Sequence, residues 1–206
     1  LISLKPFPNQ RKRPCVFEYI YFSRPDSLID GITAYEYRKR LGSELSKEDK
    51  IEADLVVPVP DSGNAAAIGY SQSKNLKFDL GLIRNHYVGR TFIEPAQKIR
   101  SLGVKLKLNA NKSSIKDKVV VLVDDSLVRG TTSHKIVNML YDAGAKAVHL
   151  RIACPEIKYP DFYGIDMPSK KELLAANMSV EEICSYVKAK SLKFLSLDGL
   201  YKAMGF

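Results

Sequence analysis

One segment of the chain, residues 119–132, reads Val119-Val120-Val121-Leu122-Val123-Asp124-Asp125-Ser126-Leu127-Val128-Arg129-Gly130-Thr131-Thr132. Its first five residues are apolar and four of them are β-branched, which is typical of a strand buried on both faces of a parallel sheet. A period-3.6 apolar pattern follows, so the polar residues stand between a strand and a helix. In open α/β sheets ligands bind at this edge, and the free N–H groups of the first helical turn attract anions. The segment therefore predicts a binding site for a phosphate and a sugar.

Two carboxylates, Asp124 and Asp125, stand in this anion-attracting loop, where they would repel a phosphate. Their presence is explained if they accept hydrogen bonds from sugar hydroxyls or hold a divalent cation. The loop also contains a glycine, which lets the backbone approach a ligand closely, and three hydroxyl donors: Gly130, Ser126, Thr131 and Thr132. An Asp-rich turn that only caps a helix would show the same local pattern, so this alternative stays open.

Length and composition indicate one α/β domain, with or without a small appendage, since 206 residues of 45% hydrophobic content are ample for a core. No apolar run approaches membrane-spanning length and no signal-peptide pattern is present, so we expect a cytoplasmic protein without a membrane segment. The formal charge of +9 suits either nucleic acid or a polyanionic small substrate. The densest basic cluster, residues 10–13, is short and lacks interleaved aromatic residues, so nucleic-acid binding is not favoured.

Local patterns predict a mostly parallel, twisted sheet flanked by helices. The predicted strands are residues 15–22, 53–59, 78–83, 119–123 and 147–153, and the predicted helices are residues 33–45, a segment from 65 onwards, and 133–143. The segment Pro60-Asp61-Ser62-Gly63-Asn64 repeats the order of strand, polar loop and helix. Two capping-box patterns, at residues 169–172 and 179–182, precede further helical stretches near the C-terminus.

Residues 84–109 form a long segment of weak periodicity with two glycines and one proline. Its six cations are Arg84, Arg90, Lys98, Arg100, Lys105 and Lys107. A long loop inside a compact domain is often functional, for example as an active-site lid, and these cations suit a pyrophosphate. A solvated basic surface loop is the alternative.

The acidic segment resembles the phosphoribosyl pyrophosphate (PRPP) binding motif of type I phosphoribosyltransferases. Beyond this motif, the chain is similar to the phosphoribosyltransferase half of the glutamine PRPP amidotransferase family over nearly its whole length from Cys15. The other segments that carry the similarity are Cys15 to Ser27, Val57 to Ser62, Asn85 to Ile93, Lys105 to Asn109 and Tyr163 to Pro168.

This resemblance implies a type I phosphoribosyltransferase fold for residues 15–165, followed by a C-terminal helical extension at 166–206. Residues 1–14 are then expected to be a linker from a missing N-terminal glutaminase domain. The implied reaction is displacement of pyrophosphate from PRPP by ammonia, giving 5-phosphoribosylamine in the first committed step of purine (IMP) biosynthesis. Purine nucleotides as feedback inhibitors and a homotetramer, by analogy, are implied as well.

The resemblance also assigns roles to individual residues. The implied PRPP-binding residues are Asp61, Ser62, Asp124, Asp125, Ser126, Arg129, Gly130, Thr131 and Thr132. Of these, Ser62, Asp124 and Asp125 match the family's magnesium site. Arg90, Lys105 and Lys107 are the implied catalytic residues, since they would stabilise the charge that develops on the pyrophosphate.

The chain departs from the family pattern in two ways. Nothing in it replaces the glutaminase half, so the chain is not expected to hydrolyse glutamine. Some family members carry a 4Fe-4S cluster on four cysteines; Cys15 matches one ligand position, but Asp161 replaces another, so a cluster is not expected. Two other functions stay open: a regulatory protein on the same fold that senses PRPP or nucleotides, and a salvage phosphoribosyltransferase that takes a nucleobase.

Overall fold

The computed structural model of the chain describes residues 8, 15–85, 107–161 and 169–205. Its strands are β1 (Leu28–Ile29), β2 (Ile32–Thr33), β3 (Leu55–Pro58), β4 (Leu82–Arg84), β5 (Leu108–Ala110), β6 (Val119–Asp124), β7 (Ala147–Ile152) and β8 (Ser191–Phe194). Its α-helices are α1 (Ala34–Lys47), α2 (Asn64–Lys74), α3 (Lys112–Ile115), α4 (Thr131–Asp142), α5 (Leu174–Asn177), α6 (Val180–Val187) and α7 (Leu197–Met204). The predicted linker, most of the basic segment, and both Arg90 and Lys105 lie outside the described residues.

A four-stranded parallel sheet in the order β3-β6-β7-β8 forms the centre of the fold. Phe78 makes a single parallel bridge to Val56 in β3. Phe78 therefore lies along one edge of β3, and β6 lies along the other edge. Between them in the sequence come the two short antiparallel strands β4 and β5. This change of direction places a topological switch point at the carboxyl ends of β3 and β6, where ligands bind in open α/β sheets.

The central strand β6 is almost entirely buried because it is paired on both edges and covered by helices. Of its six residues, every one after Val119 is buried. Helices α1 and α2 pack against each other and α2 contacts both β3 and β6, whereas α4 contacts β7 and α6. This arrangement confirms the predicted α/β fold with a mostly parallel sheet.

Several element predictions are confirmed, and one is wrong. The helix expected at residues 33–45 forms as α1, and its N-cap Thr33 accepts the backbone N–H of Glu36 at 3.2 Å. The strand expected at residues 15–22 is wrong, since Glu18–Phe22 is a π-helix. Arg38 donates to the carbonyl oxygens of Tyr19 at 3.0 Å and Ser23 at 2.7 Å, so a contact from α1 satisfies backbone groups that a strand would have paired.

Two further differences concern the C-terminal part of the chain. Residues after 166 are not wholly helical, because β8 adds a fourth strand to the sheet beside β7. The capping box at residues 179–182 forms, whereas Lys170–Glu172 is a 3₁₀ turn without a side-chain cap at Ser169. The strand β8 has four residues, which is too short for its alternation to be distinguished from a loop in the sequence.

Close contact between α1 and α2 depends on Gly42. A Cβ atom placed there would lie 1.8 Å from the carbonyl oxygen of Ala66, which is backbone and cannot move aside as a flexible side chain would. We expect Gly42→Ala to lower the free energy of unfolding by about 1–3 kcal/mol, measured by urea denaturation, because the helices must separate.

The sign of this change is informative. At an open helical position, replacement of glycine by alanine stabilises a protein by about 1 kcal/mol. The matched control is Ser43→Ala, one residue further along α1, for which we expect a change within about 0.5 kcal/mol. An increase in stability for Gly42→Ala would contradict the close packing.

Candidate functional site

The two carboxylates of the acidic segment lie at the carboxyl end of β6. Asp124 is the last residue of this strand, and its carbonyl oxygen accepts the N–H of Ala153 at 2.9 Å. Only 8% of Asp124 and 6% of Asp125 is exposed. The pair therefore lies in the crevice between β6 and its neighbours rather than in an open, solvated turn.

Burial and mutual repulsion dominate the electrostatics of this pair. Burial raises the pKa of Asp124 well above its usual range, and the charge of Asp125 raises it further. Burial also raises the pKa of Asp125, against the hydrogen bond from Ser126 at 2.5 Å, the nearby hydroxyl of Ser62 and the charge of Arg38. The second oxygen, Asp125 Oδ2, is buried and accepts no hydrogen bond from the residues that the structure describes. This oxygen is available for a cation or a hydroxyl donor.

The loop after β3 faces the acidic pair. The Ser62 hydroxyl lies close enough to the Asp125 carboxylate to lower its pKa, so residues 63 positions apart in the chain meet at the switch point. The contact requires a glycine at residue 63, since a Cβ atom there would lie 2.5 Å from the carbonyl oxygen of Val123. The Pro60–Asp61 peptide bond is cis. Asp61 itself is exposed and forms an ion pair with Arg84, the last residue of β4.

The loop after the acidic pair leads directly into α4. Gly130 is buried with φ +67°, and Thr131 and Thr132 are exposed in the first helical turn. The first N–H groups of this 12-residue helix have no intrahelical partner and can bind an anion. Arg129 is exposed and pairs with Glu172 at 3.1 Å, so its charge is partly balanced by the 3₁₀ turn rather than free for a phosphate.

Beside these loops lies a cavity of about 610 Å³. Its polar wall contains Asp61, Ser62, Asn64 and Arg38, and its apolar wall contains Tyr21, Phe22 and Tyr35. The amide oxygen of Asn64 is buried and, like Asp125 Oδ2, has no hydrogen-bond partner among the described residues. The cavity therefore combines aromatic surface with a buried acceptor, the Asn64 amide oxygen, that has no partner among the described residues.

Sequence reasoning missed three residues of this region. Arg38 lies four residues after Ala34 and three before Leu41, so its spacing on the apolar face of α1 was a usable signal for a buried, functional cation. Asn64 and Cys154 carried no such signal. The Cys154 thiol is buried beside the acidic pair, and burial together with both carboxylates raises its pKa, which keeps it neutral.

Of the three implied catalytic residues, Lys107 alone lies within the described part of the chain. It directly precedes β5, and its carbonyl oxygen accepts the N–H of Asn85 at 2.8 Å. The antiparallel pairing of β4 and β5 thus brings Lys107 next to Arg84 in the fold. Within the described segments, no helix is long and apolar enough to cross a membrane.

The chain is similar in sequence to a set of named enzymes. No protein-family model matches the chain. It is 56% identical over 202 residues to amidophosphoribosyltransferase from Rhizobium etli, covering 98% of this chain and 41% of the relative. It is 56% identical over 191 residues to the enzyme from Methanocaldococcus jannaschii, covering 93% of this chain and 41% of that relative.

A solved structure agrees with the sequence relatives. The glutamine PRPP amidotransferase from Bacillus subtilis, complexed with ADP and GMP, superposes with a TM-score of 0.85 at 53% identity. The match covers 93% of this chain and 42% of the other. The chain thus spans about two fifths of the length of its relatives. It corresponds, in sequence and in fold, to one segment of the amidophosphoribosyltransferases.

Proposed function

We propose that the chain is the phosphoribosyltransferase part of an amidophosphoribosyltransferase. In this role it binds PRPP and catalyses displacement of pyrophosphate by ammonia, which yields 5-phosphoribosylamine for purine biosynthesis. The observation that carries the proposal is the buried Asp124–Asp125 pair, with its unpartnered oxygen, facing Ser62 across the switch point. The identity of 52–56% to enzymes of this name supports it.

The donor set of the acidic pair fits magnesium. Mg²⁺ is usually held by one or two carboxylates together with waters and substrate phosphates, rather than by a closed cage of side chains. Asp124, Asp125 and Ser62 offer two carboxylates and a hydroxyl, and the described residues contain no cluster of three or more His, Cys, Asp and Glu side chains suited to a metal. When bound, Mg²⁺ would neutralise part of the charge on the pyrophosphate leaving group.

The chain's own residues have separate tasks in this proposal. Asp124 and Asp125 accept hydrogen bonds from the ribose hydroxyls as well as holding the cation. The N-terminal N–H groups of α4 and the hydroxyls of Ser126, Thr131 and Thr132 bind the 5-phosphate. The loop that contains Ser62 faces the pyrophosphate. Little acid–base catalysis is needed, because positioning and electrostatics stabilise the departing polyanion.

The expected regulation follows from the relatives. The B. subtilis structure contains ADP and GMP. We propose that purine nucleotides compete with PRPP on this chain, since a nucleotide carries the same ribose 5-phosphate group. A homotetramer, by analogy with the family, also belongs to the proposal.

The test of this function is ammonia-dependent release of pyrophosphate. The purified chain is incubated with PRPP, MgCl₂ and ammonium chloride at mildly alkaline pH, and pyrophosphate is measured against a control without ammonia. We expect release that requires both ammonia and magnesium. PRPP binding in calorimetry without any release would instead favour a sensor on the same fold, and the absence of both would contradict the proposal.

A further inference from the structure

Besides Arg38, the basic side chain of Arg84 reaches the loop that contains Ser62. This residue ends β4, and its Nη1 donates to Asp61 Oδ2 in an ion pair. The side chains of Arg84 and Asp61 are 48% and 51% exposed. Asp61 lines the cavity and directly precedes Ser62, whose hydroxyl lies close to Asp125, so the ion pair lies beside the proposed ligand site.

A polyanionic ligand at the proposed site needs a further cation, because the carboxylates there would repel it. Such a ligand, held at the acidic pair, would meet the carboxylates of Asp124 and Asp125 and would lie close to that of Asp61, which lines the cavity. The guanidinium of Arg38 is buried and already donates to two backbone carbonyl oxygens, so it cannot turn towards a ligand without losing them. The side chain of Arg84, in contrast, is half exposed, and among the described residues its guanidinium is bound to one exposed carboxylate, that of Asp61.

For Arg84, exchange of the Asp61 carboxylate for phosphate oxygens is favourable on general grounds. An exposed ion pair contributes little to stability, because water screens the two charges. Arginine binds phosphate groups through charge-assisted, often bidentate hydrogen bonds, and a pyrophosphate offers more charge and more acceptor oxygens than one carboxylate does.

We propose that Arg84 binds the pyrophosphate group of the substrate by exchanging its ion pair with Asp61 for phosphate oxygens. The inference rests on the proposed function. It also changes the role expected for Asp61, which holds the Arg84 side chain in the free protein and competes with the ligand instead of binding it.

The test is calorimetric titration of the chain with magnesium pyrophosphate, with each variant first checked for folding by thermal unfolding. We expect Arg84→Ala to weaken binding about tenfold or more, which corresponds to about 1.4 kcal/mol. Asp61→Asn is expected to leave binding unchanged or to strengthen it. The double variant should bind like Arg84→Ala alone, because Asp61 then has no guanidinium for which to compete.

Lys202→Ala provides the matched control, since it removes another exposed ion pair, with Asp198 on α7, away from the site. It should leave pyrophosphate affinity unaltered. Normal affinity in Arg84→Ala, or equal losses in Arg84→Ala and Asp61→Asn, would overturn the inference. A wild-type chain that binds neither PRPP nor pyrophosphate would defeat the proposed function itself, which separates the two failures.

Discussion

Asp125→Asn is expected to weaken magnesium-dependent binding of PRPP by roughly 100-fold, because loss of one partner from a buried, charged contact costs about 2–5 kcal/mol. The amide keeps the shape of the side chain but removes the negative charge at the unpartnered oxygen. Calorimetry with and without magnesium measures the effect. The matched control is Asp198→Asn, an exposed carboxylate on α7, which should bind PRPP like the wild type.

The acidic pair also has a consequence for stability. A carboxylic acid whose folded-state pKa is raised stabilises the fold below its ordinary pKa, and this contribution is lost as the pH rises through the folded-state pKa. Both pKa values of the pair are raised. Without magnesium, Asp125→Asn should therefore melt at the same temperature as the wild type or higher at neutral pH. A variant that is less stable and still binds PRPP normally would refute the site assignment.

Asp49→Asn is expected to destabilise the fold by about 3–5 kcal/mol, because it leaves the Arg151 guanidinium buried without its counter-charge. The two side chains are 4% and 2% exposed, and Arg151 Nη2 donates to Asp49 Oδ1 at 3.2 Å. Tyr70 adds a hydrogen bond to Asp49 Oδ2 at 2.6 Å. Urea denaturation measures the loss, and Lys202→Ala should change stability by less than about 1 kcal/mol.

The contribution of the Asp49–Arg151 pair to stability changes with pH in the opposite direction to that of the acidic pair. Burial alone would raise the pKa of Asp49, but hydrogen bonds from Arg151 and Tyr70 and the charge of Arg151 outweigh it and lower the pKa. The stabilisation is therefore present above the ordinary carboxyl pKa and is lost as the pH falls through the lowered value. Wild-type stability should fall in acid, whereas Asp49→Asn should show a shallower fall. Equal acid sensitivity in both proteins would contradict this role.

The parts of the fold that were predictable share a local cause. The apolar run of β6, the Thr33 cap of α1 and the capping box at Ser179 are each determined by neighbours a few residues apart, so the sequence pattern reports them. The acidic pair and Ser62 were predictable for a related reason, because each lies at or just beyond the carboxyl end of a parallel strand. Parallel strands bring their carboxyl ends to one edge.

The parts that were missed depend on contacts between distant segments. The Asp49–Arg151 pair joins residues 102 positions apart, and no local sequence pattern predicts it. The aromatic segment at Glu18–Phe22 has strand composition but forms a π-helix, and the Arg38 guanidinium donates to the carbonyl oxygens of Tyr19 within it and Ser23 just after it. Arg84 was predicted only as one cation among six, and its ion pair with Asp61 emerges from the pairing of β4 and β5.

The order of strands across the sheet has a consequence for synthesis on the ribosome. From β3 through β6 and β7 to β8, spatial order follows chain order. Each strand that leaves the exit tunnel can therefore add to an edge that is already present, without inserting between two others. Chains longer than about 100–150 residues commonly fold through partly structured intermediates, and folding during synthesis starts from the N-terminal side. Both loops that meet at Asp125 have emerged once α4 is complete, so the ligand site can assemble before the last strand of the sheet is translated.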